Sequence, residues 1–336
     1  MSMRVPISLA CWDYDRTRAL ADGTVQPEGI DLTYLNLPIE ETFFRMLRHR
    51  EFEAAEMSLS SYVVHVGAGH IDASDGLVAI PVFPSRAFRH SGIYVRADSD
   101  VTDPADLAGG TVGVPEYQLT AVVWIRGMLA DRHRLPIESV RYRTGGMHEP
   151  GRIEKQRLDL PSGLDVAPIP PDRTLVDMLL HGEIDALYAP RTPKPMLNGD
   201  RQRLRYLFAD PRAEEERYAA ETGIFPIMHV VVLRRDVYQA HPWIARSLYS
   251  AFEQAKLLTE ARMAEAAALP CMMPWLADEL ERAQTLLGRD FWPYGLDANR
   301  ATLEVFLRYA HEQGLTPRRL QADELFAPET AESYVI

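Results

Sequence analysis

The sequence has few of the features that mark a specialised class of protein. Its 336 residues include two cysteines, Cys11 and Cys271, so at most one disulfide bond can form, and their spacing matches no zinc or redox motif. No apolar stretch approaches the roughly 20 residues of a membrane-spanning helix. Internal repeats and the Walker and GxSxG motifs are also absent. We therefore expect a globular protein with no membrane partner.

Positive charge is also scarce. The chain has 36 lysines and arginines against 48 aspartates and glutamates, which gives a formal net charge of −12. Proteins that bind nucleic acids without sequence preference neutralise many phosphates with basic residues, so we expect no nucleic-acid partner. An acidic small molecule can still bind, but it requires a local cluster of arginines.

The N-terminal segment has the pattern of a strand. One arginine precedes a short apolar run, and Asp13 and Asp15 interrupt that run too early for the core of a signal peptide. Val5, Ile7 and Leu9 alternate with other residues, which is typical of a strand. We expect a cytoplasmic protein. A periplasmic protein that has lost its leader is the alternative.

Strand and helix patterns alternate along the chain, which predicts an α/β fold with a largely parallel sheet. Four strand-like stretches come first, namely residues 4–11, 30–35, 54–58 and 77–83. A second set of alternating patterns begins near residue 104, between strand-like stretches at 92–100 and 227–236. We predict that the chain crosses there between two domains.

The second domain is therefore predicted to be inserted into the first. The predicted first domain comprises residues 1–96 and 230–336 and ends in a helical tail. The predicted second domain comprises residues 97–229. Two such domains would leave a ligand-binding cleft between them.

Several segments resemble known proteins. DLAGGTVGVP (106–115) and TLVDMLLHGEIDAL (174–187) resemble elements of the type II periplasmic-binding-protein fold. GVPEYQLTAVVWIRGML, LYAPRTPKP and TGIFPIMHVVVLRRD resemble the 4,5-dihydroxyphthalate decarboxylase family, and the similarity extends over roughly residues 4 to 327. The resemblance implies a two-lobed, periplasmic-binding-protein-like α/β fold with an interlobe cleft and a helical C-terminal tail. It also implies a cytoplasmic carboxy-lyase.

The implied reaction is the decarboxylation of a hydroxylated phthalate, such as 4,5-dihydroxyphthalate to protocatechuate. A ring hydroxyl para to the leaving carboxylate pushes electrons toward the carbon that is protonated, so no cofactor is expected, although a divalent metal is left open. The alternative is a solute-binding protein for an aromatic or small organic acid, because one fold can serve both functions. The expected partner is a small aromatic carboxylate, and a homo-oligomer is left open.

Ligands in α/β folds bind where loops leave the carboxyl ends of strands. The turn at residues 115–120 lies at such an end and opens a helix, so its N–H groups can receive an anion. The alternative is that this turn only starts the helix. The candidate substrate-binding residues in this and the other loops of that kind are Trp12, Ser60, Glu116, Tyr117 and Thr120.

Arginines are the expected partners of the substrate carboxylates, because a guanidinium group matches two carboxylate oxygens at once. Arg86 and Arg191 are the preferred candidates, and Arg126 is a third. All three lie in or just after the candidate loops. The alternative for each of them is a structural or solvent-exposed arginine.

His229 is the principal catalytic candidate, because histidine titrates near neutral pH and this one begins an apolar strand after a tight Phe-Pro-Ile-Met approach. It is expected to donate a proton or to act as the base for the phenol. His148 and Glu149, in a glycine turn, are expected to supply the complementary role. Two alternatives are a purely structural His229 and a dispersed metal site formed by these three residues, although their spacing matches no metal motif.

Overall fold

The computed structural model describes residues 4–70, 76–198 and 202–330. The chain divides into two compact units, and each unit has its own sheet. The first unit contains the described residues up to Arg86, together with Gly223–Glu304 and the described residues from Leu320 onward. The second unit contains the described residues of Ala87–Thr222 and Val305–Arg319.

The strands of the described chain share the two sheets. They are β1 (Val5–Cys11), β2 (Ile30–Asn36), β3 (Ala54–Ser58), β4 (Leu77–Ile80), β5 (Ile93–Arg96), β6 (Thr111–Val114), β7 (Arg141–Thr144), β8 (Val166–Pro168), β9 (Ala186–Tyr188), β10 (Leu204–Tyr206) and β11 (His229–Arg234).

The helices of the described chain range from one turn to 21 residues. They are α1 (Arg18–Ala21), α2 (Ile39–His49), α3 (Leu59–Gly67), α4 (Thr120–His133), α5 (Leu175–Leu180), α6 (Lys194–Leu197), α7 (Pro211–Thr222), α8 (Arg235–Ala240), α9 (Trp243–Met263), α10 (Leu276–Leu287) and α11 (Arg300–Glu312).

The sheet of the first unit has the order β2-β1-β3-β11-β4. β1 is parallel to β2 and β3, whereas β11 runs antiparallel to β3 and β4. All residues of β3 and most of those of β11 are buried, and the apolar run of β11 predicts this. Because β11 runs against its neighbours, its first residue, His229, lies at the edge where β1 and β3 end.

The sheet of the second unit has the order β10-β5-β9-β6-β7-β8. β6 pairs in parallel with β7 and β9, and β7 pairs in parallel with β8. β5 is antiparallel to β9 and β10. The carboxyl ends of β6, β7 and β9 therefore meet at one edge of this sheet, and the loops that leave them can form one site.

The boundaries between the units differ from those predicted. Ile93–Arg96 was assigned to the first domain, but it forms β5 and pairs with β9 and β10 in the second sheet. The second unit accordingly begins at Ala87. Residues from Gly223 belong to the first unit, since β11 pairs with β3 and β4.

The helical tail also differs from the prediction, which placed all of it in the first domain. Val305–Arg319 belongs to the second unit. Phe306 and Tyr309 of α11 pack around Trp124 of α4, with ring centroids 5.4 and 5.7 Å away. Helix α7 was not predicted at all. Its sequence, PRAEEERYAAET, has little apolar periodicity. In keeping with this pattern, Tyr218 and Ala219 are its buried residues.

Two further features concern the whole described chain. Over residues 4–70, 76–198 and 202–330, no helix combines the length and the apolar composition that crossing a membrane requires. Both cysteines are free thiols: Cys11 is buried at the end of β1, and Cys271 is exposed.

His90 is a buried titratable group in the core of the second unit. Its ring packs against Phe208 and Tyr218, each with a centroid distance of 5.5 Å. Burial lowers the pKa of His90 to about 4, and the nearby positive charges of His133 and Arg132 add to the effect. The folded protein therefore holds this imidazole neutral.

We predict that His90 makes the protein less stable as the pH falls. The unfolded chain binds a proton at His90 below the ordinary pKa of 6.5, whereas the folded chain does so only below about 4. The free energy of unfolding should therefore fall by up to about 3 kcal/mol as the pH drops through this window. Urea unfolding at about pH 7 and about pH 5 should show a smaller difference for His90→Gln than for the wild type. The exposed His49→Gln is the control, and equal differences in all three proteins would contradict the prediction.

Candidate active site

A buried carboxylate lies near the carboxyl ends of β1 and β3. Glu56 is the third residue of β3 and is fully buried. Its Oε2 atom accepts the backbone N–H of Trp12 at 3.1 Å, and its Oε1 atom accepts the Tyr14 hydroxyl at 2.7 Å. The Cys11 thiol lies 3.5 Å from Oε2. Glu56 therefore fixes the loop after β1 against β3.

His229 completes this cluster. It pairs with Ser58, the last residue of β3, and its Nδ1 atom lies 2.6 Å from Oε1 of Glu56. An ionised carboxylate can only accept a hydrogen bond, so Nδ1 carries the hydrogen and Nε2 is left to exchange a proton with a ligand. Phe43 meets the imidazole edge-on at a centroid distance of 4.9 Å. The His229 side chain is 13% exposed, so the ring is held firmly but is still accessible.

The cluster keeps Glu56 ionised. Burial alone would raise the pKa of its carboxyl group. The charge of a protonated His229, and hydrogen bonds from His229 and Tyr14, outweigh burial and lower the pKa of Glu56 below its ordinary value. Burial and the charge of Glu56 raise the pKa of the Tyr14 phenol. The cluster therefore combines a fixed negative charge, a neutral phenol and an imidazole that can hold a second proton.

Three consecutive carbonyls, those of residues 83–85, position the surroundings of His229. The Phe83 carbonyl accepts the indole N–H of Trp292 at 2.9 Å. The Pro84 carbonyl accepts Nε–H of Arg16 at 2.6 Å. The Ser85 carbonyl accepts the backbone N–H of His229 at 3.2 Å and that of Met228 at 2.8 Å. One stretch of main chain thus sets the positions of an indole, a guanidinium group and the candidate catalytic residue.

Arg86 has a different place from the one predicted. It is 7% exposed, and its guanidinium group donates within the first unit to the carbonyls of Phe225, at 3.0 Å, and Pro293, at 2.8 Å. It also donates to the side-chain oxygen of Asn299. Burial lowers the pKa of Arg86 to about 9. Its hydrogen bonds therefore hold the chain around residues 225 and 293. The sequence did not reveal this role, because a long arginine side chain in a loop can point into its unit as easily as toward solvent.

Glu116, in the turn of the second unit, is also occupied. Its carboxylate is buried and accepts hydrogen bonds at 2.6 Å from both Arg152 and Lys155. A substrate carboxylate would be repelled by this group rather than bound by it. Glu116 therefore anchors the segment that contains Arg152 and Lys155.

Tyr117 lies in the same turn and already has an anion beside it. Glu154 accepts the backbone N–H of Tyr117, and its second oxygen accepts the side-chain amide of Gln118 at 3.1 Å. Burial raises the pKa of Glu154, and the neighbouring charge of Glu116 contributes. We predicted that the N–H groups of this turn bind an anion, and in the structure the carboxylate of Glu154 occupies that position at Tyr117.

Arg126 is buried on α4 beside the same turn. Its guanidinium carbon lies 3.5 Å from the centroid of the Tyr117 ring, and its Nη2 atom donates to the Tyr117 carbonyl at 2.7 Å. Its Nε atom donates to the side chain of Gln313 at 2.7 Å, and Gln313 belongs to the second unit. Arg126 therefore joins the turn to the C-terminal part of its unit.

His148, Glu149 and Arg191 lie in loops of the second unit. The turn that carries the first two is tight, since a Cβ atom at Gly146 would lie 1.6 Å from the Glu149 carbonyl oxygen, which only glycine avoids. His148 Nε2 accepts the backbone N–H of Lys194 at 3.2 Å, and burial lowers the pKa of this histidine. Glu149 and Arg191 are exposed. These three roles stay predictions.

The remaining candidates have mixed positions. Trp12 is 42% exposed next to the Glu56 cluster, where its ring can meet a ligand. Ser60 is buried in the first turn of α3, and Thr120 is buried at the start of α4. Within the described residues, no group of three or more His, Cys, Asp or Glu side chains is placed to hold a metal ion.

Sequence comparisons identify the family. The chain is 41% identical over 333 residues to a 4,5-dihydroxyphthalate decarboxylase from Comamonas testosteroni, and the match covers 99% of both chains. The chain belongs to the 4,5-dihydroxyphthalate decarboxylase family. A second member, from Pseudomonas putida, is 44% identical over 209 residues, which are 62% of this chain and 79% of that protein. No family model matches the sequence. The predicted carboxy-lyase class is confirmed by these relatives.

The fold comparison also confirms the predicted class. A solved structure of a periplasmic sulfonate-binding protein, SsuA from Methylobacillus flagellatus, matches this decarboxylase-family chain with a TM-score of 0.55. The match covers 98% of this chain and 93% of that one at 13% identity, so the two proteins share a fold only. The periplasmic-binding-protein-like fold is therefore present in this family member.

We predict that Arg86→Ala destabilises the protein. The substitution removes this donor from the carbonyls of the partly buried Phe225 and Pro293 and from the side chain of the buried Asn299, and each such loss costs about 1–3 kcal/mol. Urea unfolding should show a loss of at least about 3 kcal/mol. The exposed Arg48→Ala should change stability by less than about 0.5 kcal/mol. A stable Arg86→Ala variant with weakened dicarboxylate binding would restore the original prediction of a binding arginine.

Proposed function

We propose that this chain decarboxylates 4,5-dihydroxyphthalate to protocatechuate and carbon dioxide. The proposal is supported by the curated relatives of that name, one of which matches over 99% of this chain. One contact of the described residues carries it: His229 Nδ1 lies 2.6 Å from the buried Glu56 carboxylate. An imidazole oriented in this way is suited to general acid catalysis.

The chemistry requires one proton and no other reactant. The ring hydroxyl para to the leaving carboxylate pushes electron density toward the carbon that carries this carboxylate. That carbon takes a proton and loses its aromatic character. The carbon–carbon bond then breaks, its electron pair restores the aromatic ring, and carbon dioxide departs. The proton that was added remains on the product, so the catalyst must be supplied with another proton after each turnover.

We assign the proton donation to His229. Its Nδ1–H is committed to Glu56, so Nε2–H is the proton that it can deliver. The ionised Glu56 compensates the imidazolium charge before transfer and keeps the ring in place after it. Tyr14 shares Oε1 of Glu56 and lies 3.5 Å from Nδ1, which limits rotation of the imidazole.

A cytoplasmic location and a role in aromatic catabolism are in keeping with this reaction, and the proposed partner is a small aromatic dicarboxylate. The solute-binding alternative is supported by the fold alone, whereas the curated relatives support an enzyme. A solute-binding protein would have no use for a proton donor that is fixed by a buried carboxylate.

We predict that His229→Asn retains substrate binding but loses turnover. Carbon dioxide release from 4,5-dihydroxyphthalate should fall by at least about 10²-fold, the lower end of acid–base effects. Binding of phthalate, which lacks the activating hydroxyl, should stay within about threefold by calorimetry. The exposed His49→Asn is the matched control and should retain full activity. Wild-type turnover in His229→Asn would exclude a chemical role for this residue.

We predict that Glu56→Gln lowers kcat by about 10²-fold with little change in KM. The amide has nearly the same shape but lacks the charge that supports an imidazolium, and its NH₂ group can force the wrong tautomer. The matched control is Glu53→Gln, because Glu53 accepts the backbone N–H of Ser8 at 2.9 Å but lies just before β3. The amide oxygen of glutamine can still accept that N–H, so loss of this charge should leave kcat near that of the wild type. Equal losses of kcat in both variants would contradict the assignment.

A further inference from the structure

Arg16 lies in the loop after β1, within the surroundings of His229. It belongs to a short 3-10 helix, Asp15–Thr17. Its guanidinium carbon lies 4.2 Å from the centroid of the Tyr14 ring and 4.2 Å from that of the Trp292 ring. The guanidinium group is therefore held between two aromatic rings, an arrangement that limits its motion without using its hydrogen-bond donors.

The hydrogen bonds of Arg16 leave one side of the group available. Nε donates to the Pro84 carbonyl at 2.6 Å, and Nη1 donates to Asp15 at 2.9 Å. Among the described residues, none accepts a hydrogen bond from Nη2. The Arg16 side chain as a whole is 16% exposed, so part of it reaches the surface of its unit. The guanidinium group is thus fixed through Nε and Nη1, and Nη2 can still donate hydrogen bonds to an anion.

Arg16 and His229 are positioned by the same elements. The Pro84 carbonyl binds Arg16, and the next carbonyl, that of Ser85, binds the backbone N–H of His229 at 3.2 Å. Tyr14 connects them a second time, because its ring stacks on Arg16 and its hydroxyl lies 3.5 Å from Nδ1 of His229.

We propose that Arg16 binds the carboxylate that the product retains. This inference rests on the proposed function and extends it, because it names the guanidinium group of Arg16 as the feature by which the site selects a dicarboxylate. The leaving carboxylate must lose its negative charge as carbon dioxide forms, so an arginine bound to it would stabilise the ground state and slow the reaction. The retained carboxylate keeps its charge throughout. An arginine bound to that group positions the ring without raising the barrier.

Calorimetric titration with three probes tests this assignment. Phthalate carries both carboxylates, protocatechuate carries only the retained one, and catechol carries none. Arg16→Gln removes the charge, and Arg16→Lys retains the charge but not the fork geometry. The control is Arg18→Gln, because Arg18 is two residues away, 56% exposed, and paired only loosely with Asp13 at 3.6 Å.

Arg16→Gln should weaken the binding of phthalate and of protocatechuate by about tenfold to a hundredfold, as expected for hydrogen bonds to a charged group. Arg16→Lys should lie between this variant and the wild type, and catechol binding should stay within about threefold in every variant. Arg18→Gln should bind all three probes like the wild type. If Arg16→Gln does not fold, as judged by thermal unfolding, the intermediate affinity expected of Arg16→Lys decides.

Three outcomes would overturn the proposal. Unchanged affinity for both anions in the Arg16 variants would remove Arg16 from the site. Weakened binding of phthalate alone would assign Arg16 to the leaving carboxylate. Equal weakening in Arg18→Gln would reduce the effect to a general change of charge. Because these titrations measure no turnover, the two proposals can fail separately. A wild-type chain that binds phthalate through Arg16 but releases no carbon dioxide from 4,5-dihydroxyphthalate would refute the proposed function and leave Arg16 as an anion-binding residue.

Discussion

The hydrogen bond between Glu56 and His229 is the interaction on which the site depends. A buried carboxylate without partners would be costly, and here four groups around it offset that cost: the imidazole of His229, the hydroxyl of Tyr14, the thiol of Cys11 and the backbone of Trp12. Each of these contacts also fixes a residue near the edge of the first sheet where β1 and β3 end. The stability of the carboxylate and the geometry of the site are therefore two aspects of one network.

Much of the fold could be predicted from the sequence. The local sequence patterns located β1 and β3 to within a residue, because these elements are short strands with buried side chains. The order of the pairing could not be predicted. A strand such as β5 has the same local pattern in either sheet, and only its partners β9 and β10 assign it to the second unit. Helix α7 escaped notice because its surface is polar on nearly all sides.

The candidate site was predictable only in part. His229 could be proposed from the sequence because it is one of ten histidines and begins a distinctive strand. Glu56 was missed, although a charged residue inside the apolar stretch AAEMS is a signal, since a glutamate is rarely buried without a purpose. Arg86 shows the opposite difficulty: its residue type and loop suggest anion binding, but its donors turn inward to Phe225 and Pro293. The direction of a long side chain depends on tertiary contacts that no local pattern records.

The three carbonyls of residues 83–85 have a consequence for how this site can evolve. They hold Trp292, Arg16 and His229 through main-chain atoms. The side chains of residues 83–85 can therefore change during evolution without moving the three groups that their carbonyls hold. A single inserted or deleted residue is a different matter. It would shift the register by one carbonyl and detach all three groups at once. Diversification of such a site should therefore proceed by exchange of side chains, with the length of this segment kept constant.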